Sequence, residues 1–76
     1  MTTEQKQLLK SRLKAKRWTL GALAAQSHIT QGYLSSVLNN HSTAHMAVRT
    51  LLAQNATLLT EHPYTAADFA PTNGDE

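Results

Sequence analysis

Two threonines, Thr19 and Thr30, each stand directly before a short run with apolar side chains at helical spacing, and this pair of starts constrains the fold more than any other feature. A threonine hydroxyl accepts a hydrogen bond from one of the amides that a helix start leaves unpaired, so each marks an N-terminus. After Thr19, Leu20, Leu23 and Ala24 keep the helical period as far as Gln26 or Ser27, and Trp18 is placed to pack on the following turn as a hydrophobic staple. The stretch Ser27-His28-Ile29-Thr30 breaks that period. From Gln31 to Leu38 the apolar Leu34, Val37 and Leu38 share one face, while Gln31, Gly32, Ser35 and Ser36 share the other. The centre of the chain is therefore expected to be two short helices joined by a tight turn.

The flanks are also helical in pattern. From Thr3 to about Lys16 good helix formers dominate, and Leu9 and Leu13, with Leu8 beside them, form one apolar stripe. Lys6, Lys10 and Lys14 recur at four-residue intervals and so line one flank of that helix. Past Leu38, the turn formers Asn39-Asn40-His41-Ser42 predict a loop, after which Thr43 is expected to cap a fourth helix from about Ala44. That helix carries Val48, Leu51 and Leu52. Its end is expected between Gln54 and Thr60, where the weak helix formers Asn55, Thr57 and Thr60 alternate with the apolar Ala56, Leu58 and Leu59. Pro63 interrupts, Thr65 is placed to cap one further turn through Phe69, and residues 71–76 have the composition of a flexible tail. The expected fold is all-α, four to five helices in one domain over residues 1–70.

A domain of 76 residues buries only about 60% of the surface that its unfolded chain exposes. Cysteine is absent, so neither disulfides nor thiolate zinc sites supplement the core. The polar start Thr2-Thr3-Glu4-Gln5 lacks a signal peptide's hydrophobic segment, and no apolar run spans a bilayer, so a soluble protein of the cytoplasm is expected.

Charge is unevenly distributed. The net charge is +2, yet six of the seven cations, Lys6, Lys10, Arg12, Lys14, Lys16 and Arg17, precede Trp18, leaving Arg49 apart. The acids gather late, at Glu61, Asp68, Asp75 and Glu76, with Glu4 alone among the N-terminal cations. A polyanion is drawn to the N-terminal end of such a chain.

Two short helices joined by a tight turn can place the second in a DNA major groove, which is about 12 Å wide. The segment Thr19-Leu20-Gly21-Ala22-Leu23-Ala24-Ala25-Gln26-Ser27-His28-Ile29-Thr30-Gln31-Gly32-Tyr33-Leu34-Ser35-Ser36-Val37-Leu38-Asn39-Asn40 resembles the helix-turn-helix of the lambda repressor and Cro family. Leu23 and Ala24 match that family's Leu-Ala pair, whose small residue admits the crossing of the two helices. Ile29 matches the apolar residue after the turn, and Leu34 and Val37 match the buried face of the recognition helix. Where the family has an apolar residue followed by glycine, this chain has Ser27-His28, so His28 is expected to take the left-handed conformation.

The resemblance implies a lambda-repressor-like domain. It implies base contacts from Gln31, Gly32, Ser35, Ser36 and Tyr33, the Tyr33 ring either contacting a thymine methyl or lying near the sugar-phosphate, with a partly buried aromatic that closes the domain as the alternative. Gln31 is the foremost of these, because a glutamine amide both donates to and accepts from adenine's major-groove edge. Phosphate contacts are expected from the helix caps Thr19 and Thr30, from Lys6, Lys10, Lys14 and Arg17, and from the loop residues Asn39, Asn40 and His41. The recognition segment itself carries no Lys or Arg, so affinity must come from the first helix and Arg49. A homodimer on a palindromic operator is expected, with half-sites about 34 Å apart. Leu58, Leu59, Tyr64 and Phe69 are candidates for its interface if they are jointly exposed; otherwise they fold back over the first helix.

The implied role is a phage- or prophage-type repressor of Cro-like size, acting in a bacterial cytoplasm at the nucleoid, with no cofactor and no small-molecule effector. Two alternatives stand beside it: an antitoxin-like or transposition-linked DNA binder of the same fold, and a protein-interaction module that no longer binds DNA. His41 and His45 have a spacing that occurs in metal sites, with His28 and His62 as further ligands, but no cysteine or nearby carboxylate joins them. Ser35 and Ser36 lack a glycine-flanked nucleophile elbow, and there is no glycine-rich phosphate loop, so no enzyme is expected.

Overall fold

The computed structural model describes residues 1–71 and is helical throughout its regular structure: α1 Thr3–Ala15, α2 Leu20–Gln26, α3 Gln31–Leu38, α4 Met46–Thr60, then a single 3₁₀ turn, Ala66–Phe69. The expected tail lies outside the described residues except for Pro71. Among the described residues no helix is long and apolar enough to cross a membrane.

Each helix start is made locally. Thr2 and Gln5 form a capping box on α1: the Thr2 hydroxyl accepts from the Gln5 amide at 3.1 Å and the Gln5 side chain accepts from the Thr2 amide at 2.8 Å. Thr19 Oγ1 accepts from the Ala22 amide at 3.1 Å and Thr30 Oγ1 from the Tyr33 amide at 3.0 Å, as the sequence predicts. The fourth start departs from expectation. Thr43 caps nothing; His45 does, its Nδ1 accepting from the Ala47 amide at 3.2 Å. The reason is Ala44, which is 1% exposed and fills the core from the loop instead of opening a helix.

The first three helices end alike. One residue beyond each C-cap, Arg17, His28 and Asn40 have φ of 63°, 59° and 63°. Each turn carries the paired Schellman bonds: Trp18 to Leu13 O and Arg17 to Lys14 O after α1, Ile29 to Ala24 O and His28 to Ala25 O after α2, His41 to Ser36 O and Asn40 to Val37 O after α3. The left-handed conformation expected of His28 is thus one of four made without glycine, the fourth being Glu61 at the end of α4, with φ of 60°.

Helix α4 is the scaffold, packing on α1, α2 and the 3₁₀ turn, while α2 packs on α3. Leu9, Leu13, Leu23, Ala24, Leu34, Leu38, Leu52, Ala56 and Phe69 form one continuous core. Leu8, expected in the stripe of α1, instead lies 48% exposed, because Leu9 and Leu13 already fill that contact. Asn55 on α4 secures the end of α2, donating from Nδ2 to Gln26 O at 3.1 Å and to the buried Ser27 hydroxyl at 3.0 Å. The threonines at the end of α4 turn the chain back. Thr57 Oγ1 donates to Ala53 O and accepts from the Tyr64 amide at 2.9 Å, and Thr60 Oγ1 donates to Ala56 O and accepts from the His62 amide at 3.2 Å.

Candidate nucleic-acid interface

Helix α3 buries Leu34, Val37 and Leu38, at 0%, 1% and 1% exposure, against the rest of the chain. Ala24, 2% exposed, lies in the same core. With the apolar side held inward, Gln31, Gly32 and Ser35 are exposed, and Asn39 continues their row past the C-terminus. Ser36 and Tyr33 are half-buried, so the outward face of α3 is narrower than the sequence suggests. Ser36 sits at the edge where its carbonyl accepts the His41 and Ser42 amides.

The two glycines within helices bear on this face differently. A Cβ at Gly21 would stand 3.1 Å from Gln31 Oε1, so the Gln31 amide occupies the space that a side chain on α2 would fill. A Cβ at Gly32 would meet nothing within 4 Å. Nothing inside the chain therefore requires glycine at 32, in the first turn of α3, and its extra freedom in the unfolded chain disfavours it relative to alanine by roughly 0.4–1 kcal/mol.

Several residues that the sequence sets apart come together beside Gln31. Lys10, Leu13 and Lys14 of α1, Trp18 and Thr19 of the following turn, Leu20 of α2 and Gln31 of α3 line one open groove of about 420 Å³. Trp18 remains 41% exposed there. Lys6 is separate from this groove: its ammonium donates to Asn39 Oδ1, linking α1 to the end of α3. Asn39 Nδ2 in turn donates to Ser35 Oγ at 3.3 Å. Asn40 is held by Met1, donating to its carbonyl and accepting from its nitrogen, both at 2.9 Å. Arg17, Thr19, Thr30 and His41 are exposed. Arg49 is half-buried, and its Nε has no hydrogen-bond partner.

The joint exposure expected of Leu58, Leu59, Tyr64 and Phe69 is not found. Leu59 is 7% and Phe69 1% exposed, both in the chain's own core. Tyr64 is half-buried against that core, its ring 6.1 Å from Phe69 and its hydroxyl accepting from Arg12 Nη1 at 3.1 Å. The guanidinium also lies 5.7 Å from the Tyr64 ring centroid. The segment folds back mainly on α4, with Tyr64 reaching Arg12 of α1, and of the four only Leu58, at 71%, is exposed.

From Trp18 to Thr60 the sequence has no Asp or Glu, a signal visible without the structure. The first turns of α2, α3 and α4 accordingly carry no acid, although a carboxylate there would stabilise each helix. Among the described residues no three His, Asp or Glu side chains are grouped to hold a metal ion. Compared with models of known families, with curated proteins and with solved structures, the chain matches none.

Proposed function

We propose that this chain is a sequence-specific duplex-DNA-binding regulator whose α3 enters the major groove. The observation that carries the proposal is the outward row Gln31, Gly32 and Ser35, whose first residue lines a groove with Lys10, Lys14 and Thr19, in a chain with no acidic residue from Trp18 to Thr60. A polyanion meets cations on α1 and unopposed helix starts on α2 and α3, while the uncharged amide of Gln31 is left to discriminate among bases. Gly32 supports the same arrangement, since the space over its Cα is open only to something outside the chain.

In this proposal α1 and the helix caps hold the sugar-phosphate, Gln31 reads an adenine, and the protein acts by occupying a promoter. It binds as a homodimer of lambda-repressor-like domains, one α3 in each half-site. With Leu59 and Phe69 committed to the core, the dimer contact is proposed around Leu58, the most exposed of the large apolar side chains. Selection from a random duplex pool tests the assignment. The wild-type chain is expected to enrich one motif, and Gln31→Ala to lose preference at a single position of each half-site, worth about 1–3 kcal/mol. Enrichment of no motif contradicts it.

A further inference from the structure

We infer that the groove between α1 and α3 seats one sugar-phosphate strand of the duplex, with the deoxyriboses against Trp18 and the phosphates on Lys10 and Lys14. This rests on the DNA-binding proposal and adds to it a residue that neither reads a base nor carries charge.

Trp18 is held in place by its backbone rather than by burial. Its amide donates to Leu13 O at 2.8 Å, closing the turn in which Arg17 is left-handed. The side chain therefore emerges at a fixed point and stays 41% exposed, although an aromatic ring of this size gains most from burial. Around it the groove brings together three kinds of side chain: the ammonium groups of Lys10 and Lys14, one helical turn apart, the apolar Leu13, Trp18 and Leu20, and the amide of Gln31. A duplex strand presents a partner for each: anionic phosphates, the apolar side of the sugar, and base edges.

Charge favours this occupant over a second copy of the chain. To meet Lys10 and Lys14 a second copy would have to offer carboxylates; of its five acids, Asp75 and Glu76 lie outside the described residues, and the others are Glu4, Glu61 and Asp68. Glu61 pairs with Lys16 at 3.3 Å, and Asp68 accepts from the Thr65 amide at 2.7 Å. Glu4 lies in the first turn of α1, among that helix's own cations. A polyanion satisfies the lysines without breaking any of these contacts.

Trp18 is the only tryptophan, so its emission reports the groove directly. The full chain is titrated with a dye-labelled duplex at low salt while dye anisotropy and indole emission are both recorded. Anisotropy is expected to rise and indole emission to change at the same DNA concentrations. Trp18→Ala is expected to weaken binding roughly tenfold, as burial of some 50 Å² of apolar surface implies. Trp18→Phe is expected to restore most of that loss, with the salt slope unchanged in both. Lys10→Ala is expected to lower the slope by about 1. Unchanged helix content by circular dichroism shows that each variant folds. A rise in anisotropy with indole emission and Trp18→Ala affinity unaltered overturns this inference and leaves DNA binding standing. No rise in anisotropy defeats DNA binding itself. Indole emission that changes with protein concentration alone places a second copy over Trp18 and also overturns the inference.

Discussion

At the scale of single residues, glycine and asparagine carry the most testable consequences. Gly32 stands where a Cβ meets nothing, so Gly32→Ala is expected to raise stability by roughly 0.4–1 kcal/mol while weakening DNA binding. Parallel denaturation and binding curves check this opposition; stability and affinity rising together would show that the open space has no external use. Asn55 is a second case. Its amide satisfies the Gln26 carbonyl and a Ser27 hydroxyl on a residue only 2% exposed, so Asn55→Ala is expected to cost about 1–3 kcal/mol in urea unfolding. A loss below about 0.5 kcal/mol would mean that water replaces both bonds. From the sequence Asn55 is only a weak helix former. Its value lies in a partner far along the chain, which local propensity does not register.

At the scale of elements, what the sequence reveals divides along the same line between local and distant causes. The starts of α2 and α3 were legible because Thr19 and Thr30 act within their own first turns. The start of α4 was not, because Ala44 is drawn into the core and moves the cap from Thr43 to His45. Likewise Leu59 and Phe69 read as surplus apolar residues until the hydroxyls of Thr57 and Thr60 are seen to fold the following segment back. In the candidate interface, the outward row of α3 was legible from helical period. The groove was not, since it joins α1 to α3 through the exposure of Trp18. The Schellman turns give a further prediction. His28 has a φ of 59° where glycine has no steric penalty, so His28→Gly is expected to stabilise the chain by about 0.5–1 kcal/mol. Its side chain has no assigned DNA contact, so the same variant is expected to leave DNA affinity unchanged. Thermal unfolding with a binding control checks both halves, and a destabilised variant would show that the imidazole makes a contact worth more than the backbone relief.

At the scale of the whole molecule, the polarity of the charge is the organising fact. Six cations precede Trp18, no acid falls between Trp18 and Thr60, and α3 has no charge of its own. Under the DNA-binding proposal attraction and discrimination are thereby separated: α1 would supply affinity that depends on salt, and Gln31 preference that does not. The separation makes the DNA-binding proposal quantitative, because each neutralised phosphate contributes a salt dependence that can be counted. The most direct measurement is the affinity for a selected palindromic duplex as a function of salt concentration, for the wild-type chain and Gln31→Ala. With about four phosphates neutralised by each protomer of a dimer, the log-log slope is expected near −7 for both proteins, with Gln31→Ala displaced to weaker binding at every salt concentration. A slope near zero, or no complex at low salt, would contradict it.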